Sequence, residues 1–494
     1  MGQGLLCLRK PGDKAGDKTG DAFSWMCCRR PIAGCISNGV FSSSCSCVAL
    51  EFCPKTASSS ASGSLLHPRK RRHLVLHMDI NKTVLMSDKV SGKVPEVVVN
   101  EVMADVSWGT DVDGKWMLQG MEPQVTRPRP GPDGKEKMSY AEWLEKLLPG
   151  TSNKKRRSQL MGTFTCPGQP GEHFARHAER LLGALKEPDG SNVQLISSFF
   201  ELLLYLKREE RSFTMCFRTF GEDIEHVLEE LNTFCEGRHP RYPGVRMDGS
   251  DGKPDYRIRP NDPAKCGTFH REDNGMSLIM GTWEQPGEGK YKDVKDKSVA
   301  FYKTLPNVQI ISGLEAVHQF LHQKLSQCGT VGLRDYHQYW KSKGQTSCGG
   351  KVFFMNPLGV AEADQHEMFF DDNIRYDDPY IIHPLQPKQP DRCYWVNPLL
   401  QTHLCRAVPW ESISDDQWFV KQVQRLERGL DRKEVVQLRL RRLVGVMKVM
   451  VRSKSALERL RARQETLARD YDPWKGMRRC NQELSLWANE GVEP

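Results

Sequence analysis

Short unbroken apolar runs recur along this chain, separated by stretches with helical spacing. "HLVLHM" (73–78), "FTMCF" (213–217), "KVFFM" (351–355) and "HEMFF" (366–370) show little polar alternation. Such runs predict strands buried on both faces, as in a parallel sheet. "NVQLISSFFELLLYLKREE" predicts a long apolar helix, and "RSFTMCFRTFGEDIEHVLEELNTF" predicts strand, tight turn and helix. In that unit Gly221 marks the turn, with Glu222 and Asp223 in the first helical turn. "WGTDVDGKWMLQG" predicts two short strands around Asp113-Gly114, and "GTFHREDNGMSLIMGTW" a hairpin turning at Asp273-Asn274-Gly275. "SYAEWLEKLL" predicts a helix capped by Ser139 with Glu142 three residues on. "NVQIISGLEAVHQFLHQKL" reads as a strand or short helix leading into a helix. "PRPGPDGKEK" and "GTSNKKRRSQ" read as surface loops.

Together these elements predict an α/β fold, a Rossmann-like parallel sheet covered by helices on both faces. In such sheets ligands sit at the carboxyl ends of the strands. The expected layout is a Cys/Ser-rich disordered segment over 1–70, an α/β domain over 71–410, and a basic helical extension over 411–494. Two long insertions, about 86–190 and 222–330, interrupt the α/β domain. In the extension, Phe419, Val423, Leu426 and Leu430 share a helix face, and Gly429 is read as a break. Asp431 with Glu434 would cap a second helix, apolar through Leu438, Leu443, Val446, Met447 and Met450.

Composition narrows the class. Hydrophobic residues are 38% of 494 and no apolar run approaches a membrane span, about 18 residues or more. The net charge of +9 is concentrated: residues 421–470 hold 15 Lys/Arg against 6 Asp/Glu. That segment suits an acidic partner or a solvated helix face. It lacks the aromatic interleaving of single-strand nucleic-acid binders, which argues against nucleic acid. Of 16 cysteines, seven crowd the first 53 residues and no CxxC pair exists, which disfavours an ordinary zinc site. Scattered single cysteines suit a reduced, cytoplasmic setting. "MGQGLLC" departs from a myristoylation start at Leu6, while Cys7, Cys27 and Cys28 are palmitoylation candidates.

Four polar signals stand at predicted strand ends: Asp79-x-Asn81-x-Thr83, Thr219 after "FTMCFR", Lys351 in "GGKVFF", and Asp371-Asp372 after "HEMFF". Each alone is common in turns, caps and solvated loops. In this order they resemble the four motifs of the haloacid dehalogenase-like superfamily, over roughly His73 to His383. The resemblance implies an aspartate nucleophile, Asp79, that takes a phosphoryl group. It implies Mg²⁺ held by Asp79, the Asn81 carbonyl and Asp371 or Asp372, with Asp377 as a further candidate. Thr219 would hydrogen-bond a phosphoryl oxygen and Lys351 would stabilise developing charge. Thr83 and Arg218 are candidate substrate-binding residues, Arg218 alternatively being paired with a nearby acid. The two insertions occupy the slots where that family carries caps, and Trp108, Trp116 and Trp283 either line a pocket there or pack in a core.

The sequence departs from the family's phosphatases at Asn81, where an acid/base Asp stands. An amide cannot shuttle a proton at neutral pH. General acid-base help is worth about 10²–10⁴-fold. His77, His366 and Glu367 are the candidate substitutes. Two expectations follow: a slow Mg²⁺-dependent phosphohydrolase acting on a phosphorylated small molecule or phosphoprotein, or a fold of this kind retained to bind phospho-ligands or proteins. A third is a basic-helix interaction protein that uses the α/β domain as a platform.

Overall fold

The computed structural model of the protein describes residues 71–86, 93–130, 134–187, 190, 193–259, 262–355, 364–386, 394, 396–450 and 461–464. The Cys/Ser-rich segment over 1–70, and with it Cys7, Cys27 and Cys28, lies outside the described residues.

The chain opens with β1 (His73–Asp79), whose seven residues are all buried. The first expected insertion builds α1 (Pro95–Val106), β2 (Trp108–Val112), β3 (Lys115–Leu118), β4 (Met138–Ser139), α2 (Tyr140–Leu147), α3 (Lys154–Met161) and α4 (Ala175–Ala184). The crossover helix α5 (Ser197–Arg208) leads into β5 (Phe213–Thr219) and then α6 (Ile224–Cys235). Next come the hairpin β6 (Cys266–Glu272) and β7 (Gly275–Met280), then β8 (Gln309–Ser312), α7 (Leu314–Leu325), β9 (Gly329–Arg334) and α8 (His337–Ser342). The chain continues through β10 (Lys351–Phe354), β11 (Gln365–Asp371), β12 (Ile382–Leu385), α9 (Val396–Leu400), β13 (Leu404–Arg406), α10 (Pro409–Ser414) and α11 (Trp418–Met450).

Eight strands form one sheet in the order β13-β11-β1-β5-β9-β6-β7-β8. The pairings from β13 through to β6 are parallel; only β6–β7 and β7–β8 are antiparallel. From β1 the chain moves outward one way through β5 and β9, and later returns on the other side as β11 and β13. The order therefore reverses at β1, and the carboxyl ends of β1 and β11 flank a topological switch point.

Alternate side chains divide between the two sheet faces. Leu74, Leu76 and Met78 join the large core with α1, α5, α6 and α11. Val75 and Cys216 face a second core built by α7 with Val352, Phe354 and Leu385. Those last three belong to β10 and β12, a separate two-stranded parallel sheet laid over this face. Lys351 thus begins a strand of an overlying layer and does not end a strand of the main sheet.

Local chemistry accounts for the predicted elements. Asp113 and Gly114, both at positive φ, turn β2 into β3. Ser139 and Glu142 form the capping box of α2.

Several expectations are corrected. "GTSNKKRRSQ" is not a loop: residues 154–161 form α3, which has no buried residue. Lys, Arg, Gln and Met are good helix formers, so propensity makes a helix there without an apolar stripe. Within the second expected insertion, about 222–330, β6, β7 and β8 extend the main sheet. Strand β9 was unforeseen. Gly332 within it looks like a breaker, yet a Cβ there would lie 3.0 Å from Trp283 and 3.1 Å from Ile224. Close packing calls for that glycine.

At the carboxyl end, Gly429 does not break the helix, and α11 runs continuously from Trp418 to Met450. A Cβ at Gly429 would collide with the Gln401 carbonyl oxygen, so the glycine serves a close approach. Asp431 pairs with Arg72, 3.0 Å, in place of capping a second helix. Phe419, Val423, Leu426 and Leu430 are buried as their spacing predicted. The side chains of Leu438, Leu443, Val446, Met447 and Met450 lie outside the described residues.

Candidate functional site

A buried parallel strand leaves its last side chain at the sheet's edge, where one neighbour on each side can converge on it. Asp79 ends β1 and is 6% exposed. Asp371 ends β11, the next strand, and is fully buried. Asp372 follows. One carboxylate oxygen from each of these three residues lies within 4.8 Å of the others. The Lys351 ammonium donates to Asp79 Oδ1 and to Asp371 Oδ2, the latter at 2.7 Å. Thus residues far apart in sequence meet around one cation.

The electrostatics match that crowding. Burial, then Asp371, pushes the Asp79 carboxyl well above the usual carboxylate range, against the pull of Lys351. Burial and Asp371 likewise raise Asp372 to about 7, against Lys82 and Lys351. Burial works against the Lys351 ammonium, but Asp371 and Asp79 outweigh it and raise its pKa. The cluster holds more carboxylate than its single buried ammonium balances.

Lys351 is fixed through the backbone on either side of it. Arg218 Nη2 donates to the Val352 carbonyl, 2.9 Å, and Arg271 Nη1 to the Gly350 carbonyl, 2.7 Å. Arg218 is itself held by a bidentate pair with Asp335, 2.9 and 2.6 Å. Its guanidinium lies over the rings of Phe269 and Phe369. This removes Arg218 from the expected substrate-binding set: its side chain is 1% exposed and every arm is engaged within the protein. Thr83 is corrected in the same way. It is fully buried, and its hydroxyl donates to Asp79 Oδ2 at 3.3 Å, so it supports the carboxylate from beneath.

The loop after Asp79 is tight. The amides of Val84 and Leu85 both return to the Ile80 carbonyl, 3.0 and 2.9 Å, and Lys82 adopts φ 58°. Asn81 Nδ2 donates to Asp223 Oδ2 at 2.8 Å. The Asn81 side-chain oxygen is buried without a hydrogen-bond partner among the described residues. Asp223, expected inside the first turn of α6, is its N-cap residue. It delivers a carboxylate to within one hydrogen bond of the position where the acid is missing. Thr219 ends β5, and its hydroxyl accepts from the Gly221 amide, 2.9 Å. That leaves its own proton to donate.

The three substitute acids do not join this cluster. His77 sits between Phe353 and Phe369, with Nδ1 facing Arg218 at 3.2 Å. Burial and the Arg218 charge hold its pKa well below the ordinary value. His366 Nε2 donates to the Thr402 carbonyl at 2.6 Å, and burial lowers its pKa to about 4. Glu367 lies 3.5 Å from His77 Nε2 behind the site, and burial raises it to about 8 against the attraction of Arg218. Asp377 is exposed and outside the carboxylate cluster, while Asp378 caps the Tyr380 amide at 2.8 Å. Of the tryptophans, Trp116 packs against Tyr140 and Phe164. Trp283 borders a cavity of about 200 Å³ near Gly221, and Trp108 borders one of about 470 Å³ that also contains Asp372.

Sequence reasoning missed Asp335, Arg271 and the role of Asp223. Asp335 follows the unforeseen strand β9, so no pattern drew attention to it. Arg271 sits within a correctly expected hairpin, but its target is backbone, which leaves no mark in a sequence.

The acidic, oxygen-only donor set suits a hard cation such as Mg²⁺. No family model matches this chain, and no curated protein or solved structure matches it. Among the described residues no helix is long and apolar enough to cross a membrane.

Proposed function

We propose that the protein is a member of the haloacid dehalogenase-like superfamily and a Mg²⁺-dependent phosphohydrolase with Asp79 as nucleophile. One observation carries the reading: Lys351 bridges Asp79 and Asp371 at the switch point, with the Asp372 carboxylate beside them. A carboxylate meant only for stability would not be crowded by two others at a strand end, because like charges raise the cost of each. Asp79, Asp371, Asp372 and the Asn81 carbonyl would hold the Mg²⁺, which when bound neutralises charge between the carboxylates and an incoming phosphate. Asp79 attacks phosphorus and becomes an aspartyl phosphate, which water then cleaves. Thr219 donates its free hydroxyl proton to a phosphoryl oxygen. Lys351, held by the carbonyl contacts on either side of it, stabilises the charge that develops on phosphorus.

Asn81 makes turnover slow, since the amide offers no proton to the leaving oxygen. The same residue favours a second reading: Asn81 is committed to Asp223, an arrangement that suits a site retained for holding a phospho-ligand. Phosphate release from an aryl phosphate separates the two. Mg²⁺-dependent release by the full chain, abolished in Asp79→Asn, supports the enzyme. Phosphate-mimic binding with no release in the wild type supports the binding module, and release that survives Asp79→Asn overturns the nucleophile assignment.

A further inference from the structure

The cavity that reaches Asp372 lies between α1, the loop after β11 and the start of α10, and has a volume of about 470 Å³. That is the size of a small-molecule pocket, roughly 300–1,000 Å³. Asp372 lines this cavity, and one of its carboxylate oxygens lies within 4.8 Å of an oxygen of Asp79 and of Asp371, so one wall of the cavity belongs to the cluster.

Its lining combines three aromatic rings, three cations and three carboxylates, Asp105, Glu142 and Asp372. Trp108, Trp410 and Tyr376 contribute rings. Trp108 is held by an indole N–H bond to the Gln124 carbonyl, 2.6 Å. Trp410 has the Arg180 guanidinium 5.5 Å from its ring. Tyr376 is 56% exposed and carries Arg406 at 5.4 Å. Three cations line the cavity, and two are already paired: Lys82 with Glu101 at 2.8 Å and Arg127 with Glu142 at 2.7 Å. Arg406 is different. Among the described residues no carboxylate lies within ion-pair distance of its guanidinium and no acceptor takes a hydrogen bond from it, while Asp105 and Asp372 feel its charge at longer range.

Asn81 points to the same chemistry independently. With an amide at that position, residue 81 gives the leaving oxygen no proton, which favours an oxygen that departs as an anion. A phenol-type oxygen has a pKa of about 10. An aliphatic alkoxide lies nearer that of water, about 15.7. A site whose residue 81 donates no proton therefore expels an aryl oxide far more readily than an alkoxide.

We infer that this cavity seats the leaving group, and that the substrate is a small-molecule aryl phosphate whose ring lies against Trp108, Trp410 and Tyr376 and whose oxygen departs toward Arg406. The inference rests on the phosphohydrolase reading above. In the first step a bond forms between an Asp79 oxygen and phosphorus. The bond from phosphorus to the aryl oxygen breaks, and the electron pair leaves on that oxygen facing the Arg406 cation. In the second step a water oxygen attacks phosphorus, the Asp79–phosphorus bond breaks and the carboxylate is regenerated. The water's proton passes to solvent, where the aryl oxide is protonated. No oxidant or further reactant is required.

The test is calorimetric titration of the full-length protein in Mg²⁺ with phenylphosphonate and methylphosphonate, which cannot be hydrolysed. Phenylphosphonate should bind about tenfold tighter, the worth of one or two ring contacts. Trp410→Ala and Tyr376→Ala should each shrink that preference. Equal affinity for the two phosphonates in the wild type overturns the inference, even where aryl esters are hydrolysed. A ring preference with no phosphate released from any ester keeps the ring pocket and sinks the phosphohydrolase reading. A tyrosine-phosphorylated peptide shares the aryl ester; tighter binding of the peptide than of phenylphosphonate would overturn the small-molecule occupant. In kinetics, Arg406→Met should cost more turnover on phenyl phosphate than on acetyl phosphate. Equal losses on the two would remove Arg406 from the leaving-group role.

Discussion

Replacing Arg218 by Met should separate what this side chain does for stability from what it does for the site. The guanidinium is buried, makes two bonds to Asp335, one to the Val352 carbonyl, and faces His77. Arg218→Met strands the Asp335 carboxylate, itself 1% exposed. Breaking a buried pair from one side costs about 3–5 kcal/mol. The orphaned Val352 carbonyl adds roughly 1–3 kcal/mol. Asp335→Leu strands the arginine and should cost a similar amount. Removing both charges together leaves an apolar pair, which is often nearly neutral. The double variant should therefore be no less stable than either single variant, giving a coupling of about 3 kcal/mol or more. Urea melts of the four proteins give the cycle directly. Additive losses would refute the idea that the buried charges depend on each other. Activity supplies the second half. The double variant regains stability but not the anchor on Val352, so Lys351 should drift. A misplacement of about 1 Å costs on the order of 10²-fold. Full turnover by the stable double variant would show that Arg218 does not position Lys351.

Three further outcomes are expected. Burial raises Glu367 to about 8 from its ordinary 4.5, so the folded state favours the protonated acid. That contribution is complete below 4.5 and is lost as pH rises toward 8, so Glu367→Gln should gain on wild type by up to about 1.4 kcal/mol per pH unit across that window; a gain in thermal midpoint as large at pH 5 as at pH 8 contradicts the sign. Asn81→Asp should raise phosphate release, most for esters with poor leaving groups, within the 10²–10⁴-fold or so that acid-base catalysis provides; flat kinetics across the ester series would place the proton donor elsewhere, with Asp223 the first residue to examine. Gly429→Ala, which would stabilise an exposed helix by about 1 kcal/mol, should here destabilise by roughly 1–3 kcal/mol because the new methyl meets the Gln401 carbonyl; a higher denaturation midpoint would mean that contact opens freely.

Much of this architecture was legible in the sequence because burial writes a simple signature. Short, mostly apolar runs such as those within β1 and β5 have few alternatives to a doubly covered strand. Capping chemistry at Ser139 and the turn at Asp113-Gly114 are local, so neighbours in sequence suffice to specify them. The clustered carboxylates were legible for a related reason: charges at the end of an apolar run contradict the run, and such contradictions mark sites. What escaped notice depends on distant partners. Gly332 and Gly429 look like breaks until Trp283 and the Gln401 carbonyl are placed against them. Arg218 beside Thr219 suggests a substrate contact until Asp335, 117 positions away, takes the guanidinium. Lys351 could be named from order along the chain, but its delivery by a separate two-stranded layer follows only from how β10 and β12 pair.

The central claim is that Asp79 is the atom-bearing nucleophile for phosphorus. The most direct measurement is a crystal structure of the full-length protein grown with Mg²⁺ and beryllium fluoride, which mimics a phosphoryl group on a carboxylate. The account predicts density for the fluoride adduct joined to an Asp79 oxygen, with Lys351 and Thr219 within hydrogen-bond reach of its fluorines and a cation between Asp79 and Asp371 or Asp372. An unmodified Asp79 in a crystal whose cluster holds the cation, or an adduct on Asp223 or Asp372 instead, would contradict it.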